Sequence, residues 1–248
     1  MATAPADHRL QSLRLQSRDR RERYLILAAL LFTALAAAQD ERRVTSPNGQ
    51  LEFRLFIATQ ANSNLSRIAY EVFYRNKPLI STSYLGLDIQ DQEPLLGENV
   101  GLTSSSSATS PRYNSLTAKY MQNGSLGRLI NVEVRAYNDG AAFRYVIPPS
   151  TPLMDFVIAE ESTEFHFTEN LEASSVVHLS SAWVAISESV LEHYPRMRLI
   201  RANPTTDVTL LDQKFQGSTP LTCPWRIISI GSSNKTVLKT EIIADLNH

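Results

Sequence analysis

The strongest constraint on the fold is a pair of alternating segments that flank an Asn-Asp-Gly turn at residues 138–140. In residues 129–137, LINVEVRAY, apolar side chains recur at every second position, which is the period of a strand with one buried face. Residues 141–147, AAFRYVI, return from the turn and end at two prolines. Because Asn-Asp-Gly favours a tight hairpin connection, this region predicts two antiparallel strands.

The same pattern recurs along the rest of the chain. Short apolar or alternating segments lie between turn residues at residues 51–57, 68–74, 84–89, 116–120, 164–168, 207–211 and 225–230. We predict a last strand at residues 242–246, a loop at the serine-rich residues 103–110, and a weak helix at residues 187–193. No regular alternation of strands with helices is visible, so the chain is predicted to be an all-β antiparallel sandwich.

Composition narrows the classes of function. Apolar residues make up 43% of the chain, which is ordinary for a protein with a packed core. The net charge is −1 and no basic excess occurs beyond the first residues, which argues against a nucleic-acid partner. The single cysteine, Cys223, excludes an internal disulfide and lies in an apolar run, so we expect a small buried side chain.

The N-terminal residues have the pattern of an export signal. Residues 1–23 are polar and basic, residues 24–38 are almost wholly apolar, and the apolar run ends in three alanines. This order predicts a cleaved secretory signal peptide over residues 1–38 and a periplasmic or extracellular protein with no stable membrane span after cleavage. The apolar run is shorter than the ~20 residues that a membrane-spanning helix needs, although an uncleaved anchor stays as the alternative.

One acidic residue stands out in residues 185–199, AISESVLEHYPRMRL. Glu188 lies between Ile186 and Val190, and a Tyr-Pro pair interrupts the segment soon afterwards. A carboxylate is costly to bury in apolar surroundings without a partner, so this position favours a ligand over a core residue.

Four blocks of sequence resemble the N-terminal domain of glycoside hydrolase family 97. The most specific is residues 132–148, with its Tyr-Asn-Asp-Gly turn and Ala-Phe-Arg-Tyr return. The others are residues 46–55, residues 68–89, and the Glu188 segment followed by CPWRIISIG at residues 223–231. The blocks come in the family's order and extend over essentially the whole chain after the signal peptide.

The resemblance implies a fold, a function and a metal. The family contains calcium-dependent α-glucosidases and α-galactosidases, and it implies that residues 44–248 form a large mutarotase-like β-sandwich, or supersandwich. Glu188 would reach out of this domain as one ligand of a catalytic Ca²⁺, which takes 6–8 oxygen ligands. The other ligands and all catalytic residues would come from a (β/α)₈ barrel. The chain would then be the N-terminal domain of an exported α-glycoside hydrolase that acts on a carbohydrate, braces the barrel and is inactive alone.

The sequence departs from the family pattern in three ways, which keeps two alternatives open. It ends where the family's barrel begins, and residues 104–113 and 170–183 are shorter than usual. One alternative is a stand-alone carbohydrate-binding or interaction module without catalysis, and the other is a truncated gene product. The choice between a glucoside and a galactoside stays undecided.

Two tryptophans receive different predictions. Trp183 precedes the Glu188 segment and is the candidate for an exposed ring that stacks on a sugar of the substrate. Trp225 lies among isoleucines, and we expect it in the core.

The remaining polar candidates are given structural roles. We expect Asp139 to bond to its own turn and Arg144 to pair with a nearby acid. His166 alternates with two phenylalanines and should face away from the core. We expect the acidic residues Glu160, Glu161 and Glu164 to form a solvated edge, and Glu192 and His193 to lie on the surface.

Overall fold

A computed structural model describes residues 40–60, 64–125, 127–171, 176–190 and 192–247. The predicted signal peptide, residues 1–38, lies outside these ranges and stays a prediction. The chain divides into the units Met1–Asp40 and Glu41–His248, and the fold below is that of the second unit.

The second unit is built almost entirely from β-strands. In chain order they are β1 (Arg42–Thr45), β2 (Leu51–Thr59), β3 (Ser66–Tyr74), β4 (Lys77–Tyr84), β5 (Leu87–Ile89), β6 (Val100–Thr109), β7 (Tyr113–Gln122), β8 (Leu129–Tyr137), β9 (Gly140–Ile147), β10 (Asp155–Glu161), β11 (Glu164–Phe167), β12 (Val176–Leu179), β13 (Ala182–Glu188), β14 (Met197–Asn203), β15 (Thr206–Leu211), β16 (Phe215–Ser218), β17 (Leu221–Thr222) and β18 (Arg226–Gly231). A short helix, α1 (Glu241–Leu246), follows them.

The strands form three antiparallel sheets. A seven-stranded sheet has the order β1-β2-β3-β4-β11-β15-β14, and a three-stranded sheet has the order β16-β10-β5. An eight-stranded sheet runs β12-β13-β18-β9-β8-β7-β6, with β17 added beside β9. The predicted hairpin is present as β8 and β9, with Arg135 opposite Ala142 and Tyr137 opposite Gly140. These large antiparallel sheets confirm the predicted β-sandwich class.

Aromatic rings join the two large sheets in the core. Alternation buries Leu51, Phe53 and Leu55 of β2 completely, because every second side chain points to the same face. Phe53 stacks on Tyr70 of β3 with ring centroids 5.1 Å apart. Phe143 of β9 approaches both of these rings, at 6.0 Å and 5.1 Å, from the opposite sheet. The central contact between the sheets is therefore aromatic.

A smaller apolar cluster lies on the other face of the eight-stranded sheet. It consists of Tyr137, Ala142, Trp225, Ile227 and Ile242. Helix α1 supplies Ile242, and the hydroxyl of Tyr137 donates to Asp245 of the same helix at 2.6 Å. Over the residues described, no helix has the length and apolar content to cross a membrane. The burial of Trp225 confirms its predicted core position.

Two of the predicted secondary-structure elements are wrong because pairing in the sheet overrides the local pattern. Residues 103–110 were expected to form a loop, but all except the last belong to β6, which pairs with β7 at the edge of the eight-stranded sheet. The serines of this edge strand are exposed to water, which explains its polar composition. Residues 187–193 were expected to form a weak helix, but β13 extends to Glu188 along its partner β18.

The predicted strand at residues 242–246 is also wrong, because these residues lie in helix α1. Ile242 and Leu246 are four residues apart, so a helix brings both to one side, where they pack on the Tyr137–Trp225 cluster. The carboxylate of Asp139 accepts the backbone N–H of Glu241 at the start of this helix. The hairpin turn thus also satisfies a helix end.

We predict that Phe143→Ala lowers the free energy of unfolding by about 3–5 kcal/mol, because it removes a fully buried ring that contacts both sheets. Denaturant titration followed by circular dichroism measures this. Met154→Ala is the control, since Met154 is 78% exposed and its removal should change stability by at most ~0.5 kcal/mol. Equal effects of the two substitutions would show that the Phe143 contacts do not hold the sheets together.

Candidate functional site

A buried arginine holds two glutamates at one end of the sandwich. Arg226 of β18 donates from Nε to Oε1 of Glu161 at 2.8 Å and from Nη2 to the other oxygen of the same carboxylate. Its Nη1 donates to Oε2 of Glu188 at 2.7 Å. Glu161 belongs to β10 and Glu188 to β13, so the guanidinium joins three strands from two sheets. We call these three residues the Glu161–Arg226–Glu188 triad.

Burial differs across the triad. The side chains of Glu161 and Arg226 are 0% and 1% exposed, whereas that of Glu188 is 20% exposed. Burial acts to lower the pKa of Arg226, but the carboxylates, Glu161 foremost, outweigh it and the pKa of the guanidinium is raised. With all three groups ionised, the triad has one net negative charge. Because Glu161 takes two of the three bonds from Arg226, this surplus lies toward the accessible Glu188.

A network of hydroxyl groups holds Glu161 in place. The hydroxyl of Thr163 donates to Oε1 of Glu161 at 2.9 Å and lies 2.6 Å from the hydroxyl of Tyr145. Thr209 donates to the backbone carbonyl of Glu161 at 2.9 Å. Burial, followed by the charge of Glu161, raises the pKa of Tyr145 well above its ordinary value, so its hydroxyl stays neutral. The inner carboxylate is thus held rigidly, and with it the arginine.

Glu188 occupies the last position of β13, where the strand opens to the surface. Its two carboxylate oxygens share the backbone N–H of Met197, at 3.1 Å each. It lines a cavity of about 180 Å³ together with Ser189, Val190, Tyr194, Pro195, Arg196 and Pro224. An ionised carboxylate offers about four lone-pair sites, so the contacts to Met197 and Arg226 leave acceptor capacity for an outside ligand.

The described residues at this surface offer one ligand for a calcium ion. Within the described ranges, no group of three or more His, Cys, Asp or Glu side chains is placed to hold a metal ion. Ca²⁺ needs 6–8 oxygen ligands, and Glu188 brings one accessible, oriented carboxylate of net negative character. Among the residues described, Glu188 therefore fits at most a single ligand of such a site.

Two buried groups close to the triad, Cys223 and Tyr194, stay neutral. Cys223 is buried, as the sequence predicts, and burial, followed by the charge of Glu161, raises the pKa of its thiol to about 12. Tyr194 is also buried, and burial raises the pKa of its hydroxyl well above the ordinary value. Neither group is therefore ionised near neutral pH, so the charged groups of this surface are Glu188, its partner Arg226, and Arg196, which also lines the cavity.

The expected solvated acidic edge is wrong for Glu161. Strict alternation from the buried Phe156 and Ile158 would place Glu160 inside. An irregularity in the pairing between Ile158 and Glu160 instead turns Glu161 to the inner face, where Arg226 compensates its charge. Glu160 and Glu164 are half-buried, and Glu160 accepts the backbone N–H of Leu211. The acidic run thus supplies a core ion pair, which the sequence does not indicate because the partner lies 65 residues away.

Asp139 was predicted to bond to its own turn, but its carboxylate accepts the backbone N–H of Glu241 at the start of helix α1. The expectations for Arg144, His166, Glu192 and His193 are confirmed. Arg144 pairs with Glu133 at 2.7 Å, and His166 points away from the core between two buried phenylalanines. Glu192 and His193 are almost fully exposed.

The structure separates the two residues that the sequence suggested for metal and substrate. Trp183 lies near the start of β13 and Glu188 at its end. Five residues of a strand span about 16 Å, so Trp183 does not contact a ligand of Glu188 directly. The ring of Trp183 is half-buried and stacks on His178, with centroids 4.4 Å apart.

Sequence reasoning missed Arg226 as a functional residue. A signal is present, because an arginine stands in the otherwise apolar CPWRIISIG segment. Charged side chains are rarely buried unless they are paired, so such a residue predicts a carboxylate partner. Its register opposite Glu188 depends on the pairing of β13 with β18, which the local sequence does not specify.

Comparisons with known proteins agree with this architecture. The sequence matches the family described as glycosyl-hydrolase 97 N-terminal over residues 44–178 and 172–248. It is 27% identical over 158 residues to a retaining alpha-galactosidase of Bacteroides thetaiotaomicron, a match that covers 60% of this chain and 22% of that protein.

Solved structures show the same fold. A glycoside hydrolase family 97 enzyme from Pseudoalteromonas sp. strain K8, solved in complex with acarbose, superposes with a TM-score of 0.68 at 20% identity over 84% of this chain. A beta-arabinopyranosidase superposes with a TM-score of 0.62 at 18% identity over 77% of this chain. The chain spans 38% and 40% of these two proteins.

We predict that Arg226→Met lowers the free energy of unfolding by about 3–5 kcal/mol, because it leaves the carboxylate of Glu161 buried without compensation. The double variant Glu161→Leu with Arg226→Met should regain most of this loss, since it removes both charges. Denaturant titration of the two variants and the parent measures the difference.

The control is Glu133→Gln, which breaks the half-buried pair with Arg144 and should cost less than ~1 kcal/mol. If the double variant is as unstable as Arg226→Met, the loss comes from packing and the account of the triad is wrong.

Proposed function

Because this chain belongs to the glycosyl-hydrolase 97 N-terminal family, we propose that it is the N-terminal domain of an exported α-glycoside hydrolase that acts on an α-glucoside or α-galactoside. In this role it braces a catalytic (β/α)₈ barrel and supplies Glu188 as one calcium ligand. The observation that carries the proposal is the oriented and accessible carboxylate of Glu188 at the open end of β13.

The chain's own residues position this ligand. The N–H of Met197 and the guanidinium of Arg226 hold the carboxylate of Glu188 from two sides and leave acceptor capacity toward the cavity. Calcium bound there would orient sugar hydroxyls and stabilise negative charge that develops on the leaving oxygen. Since two carboxylates face one guanidinium, the pair Glu161 and Glu188 outweighs the charge of Arg226, and the arginine orients Glu188 without leaving the triad positive.

The carboxylates of this surface are not arranged as the catalytic pair that glycoside hydrolysis needs. Glycoside hydrolysis uses two carboxyl groups placed across one sugar, about 5–9.5 Å apart. In the triad, the Arg226 guanidinium lies between the two carboxylates, and Glu161 is buried beyond the reach of a substrate. We therefore assign the acid and the base or nucleophile to the barrel domain and expect no hydrolysis by this chain alone.

Export and cleavage complete the proposal. The basic segment, apolar segment and three alanines of residues 1–38 support a signal peptide, which would deliver the enzyme to the periplasm or the extracellular space where polysaccharides occur.

A second candidate function is a carbohydrate-binding module without catalysis. The half-buried Trp183 with its stacked histidine favours it, because ordered aromatic rings are common sugar platforms. The two functions differ in whether Glu188 binds calcium beside a barrel, and this difference decides between them.

We predict that the purified chain does not cleave nitrophenyl α-glucoside or α-galactoside, with or without added calcium, because its accessible surface has one carboxylate at the site instead of a catalytic pair. Release of nitrophenol measures the reaction. Cleavage that follows the protein through chromatography would contradict the assignment of catalysis to a second domain.

We predict that Glu188 determines calcium dependence when a barrel is supplied. The test fuses residues 41–247 to the part of the Pseudoalteromonas sp. strain K8 enzyme that this chain does not cover. Glu188→Gln should weaken the apparent calcium affinity by at least about tenfold, because affinity depends on the charge and number of ligands. Calcium titration of hydrolysis measures this affinity.

The matched control in this fusion is Glu192→Gln, four residues along the chain, whose side chain is 89% exposed and should not affect calcium. Direct calcium calorimetry on the same proteins gives a second readout if the fusion is poorly active. Equal calcium affinities for the two variants would rule out Glu188 as a ligand.

A further inference from the structure

An ordered pair of rings lies on the outer face of the edge hairpin formed by β12 and β13. The pairing register places His178 directly opposite Trp183, and the rings stack with a 28° angle between their planes. Their strand neighbours Val177, Leu179 and Val184 are buried, so alternation directs His178 and Trp183 away from the core. The two rings are therefore fixed by each other on the outside of the sandwich.

A groove runs between Trp183 and the segment that follows β18. Its volume is about 440 Å³, and it is lined by Val176, Trp183, Asn234, Lys235, Leu238 and Lys239. This volume lies in the ~300–1,000 Å³ range of small-molecule sites. Among the residues described, none forms a hydrogen bond with the indole N–H of Trp183, which leaves it available as a donor.

The far wall of the groove is preformed. Gly231 pairs with Trp183 in the register of β18 and β13, and a Cβ at this glycine would come within 2.6 Å of the backbone nitrogen of Val237. The wall segment therefore packs closely against the sheet. Val237 is fully buried, and reciprocal hydrogen bonds between Ser233 and Thr236 close the turn before it. A ligand entering the groove meets a fixed wall, so little ordering is needed on binding.

We propose that this groove is a carbohydrate-binding site in which a pyranose ring packs on Trp183. The face of an aromatic ring is electron-rich and attracts the polarised C–H groups of a sugar face, while the indole edge donates to a hydroxyl. Lys235 and Lys239 supply ammonium donors and Asn234 an amide, which match a ring of hydroxyl acceptors. The choice of a saccharide as the ligand class rests on the proposed function.

The site is separate from the calcium position proposed for Glu188. It lies at the other end of β13, about 16 Å away along the strand, and on a different cavity. A sugar bound there would not touch a residue that reacts. The groove therefore holds a saccharide chain without taking part in its cleavage.

The test uses the purified chain with maltotriose and methyl α-galactoside as separate probes, followed by calorimetry. We expect saturable binding of at least one sugar. Trp183→Ala should weaken it by at least about tenfold, a loss typical of removing one stacking ring. Trp183→Phe should retain part of the affinity because it keeps an aromatic face. Met154→Ala, which removes a more exposed apolar side chain outside the groove, should not change it.

Fluorescence gives an independent readout. The chain has two tryptophans, so Trp225→Phe leaves Trp183 as the only one, and its emission should change as sugar binds. Circular dichroism of each variant verifies folding, and Trp183→Phe keeps the test decisive if Trp183→Ala is unstable.

Two results would overturn the site: neither sugar binds saturably, or Trp183→Ala and Met154→Ala bind with equal affinity. Both leave the role of Glu188 untouched, because that role is measured by calcium-dependent hydrolysis in the fusion. Conversely, loss of calcium dependence there would not alter sugar binding by Trp183, so the two proposals fail separately.

Discussion

The geometry of the open end of β13 depends on the buried ion pair between Arg226 and Glu161. The pair spans the core from the eight-stranded sheet to the three-stranded sheet, and almost no solvent reaches it. Removing two charges from water is costly, and the cost is offset because each of the three guanidinium nitrogens donates to a carboxylate oxygen. The fixed arginine then determines where the carboxylate of Glu188 lies.

The sandwich fold makes this arrangement possible through its register. The pairing of β13 with β18 sets Glu188 opposite Arg226 and Trp183 opposite Gly231. One end of the strand therefore meets the ion pair of the core, and the other end meets the segment that walls the groove. A shift of one residue would turn every side chain of β13 to the opposite face, so both features depend on the same pairing.

The sequence predicts a strand correctly where apolar residues alternate regularly along it. The prediction is wrong where pairing with a distant segment determines the structure. The β8–β9 hairpin follows from alternation and its Asn-Asp-Gly turn, because both signals are local. The serine-rich β6 has no apolar face, and only its partner β7 makes it a strand. Helix α1 has only six residues, too few to show a helical period in the sequence, and it is its packing that brings Ile242 and Leu246 together on the Tyr137–Trp225 cluster. Glu188 could be selected as a candidate site residue from its apolar neighbours. Arg226, which holds it, and Glu161 could not, because their roles depend on contacts between distant segments.

A hydrophobic pair in place of Glu161 and Arg226 would stabilise the core as well or better, since buried ion pairs rarely gain net stability. It would also leave Glu188 with the N–H of Met197 as its only fixed contact among the bonds described. A carboxylate on a flexible side chain loses rotamer freedom when it binds a ligand, and that loss weakens affinity. The guanidinium removes this freedom in advance. The ion pair therefore orients one surface carboxylate, whether or not it adds to the stability of the core.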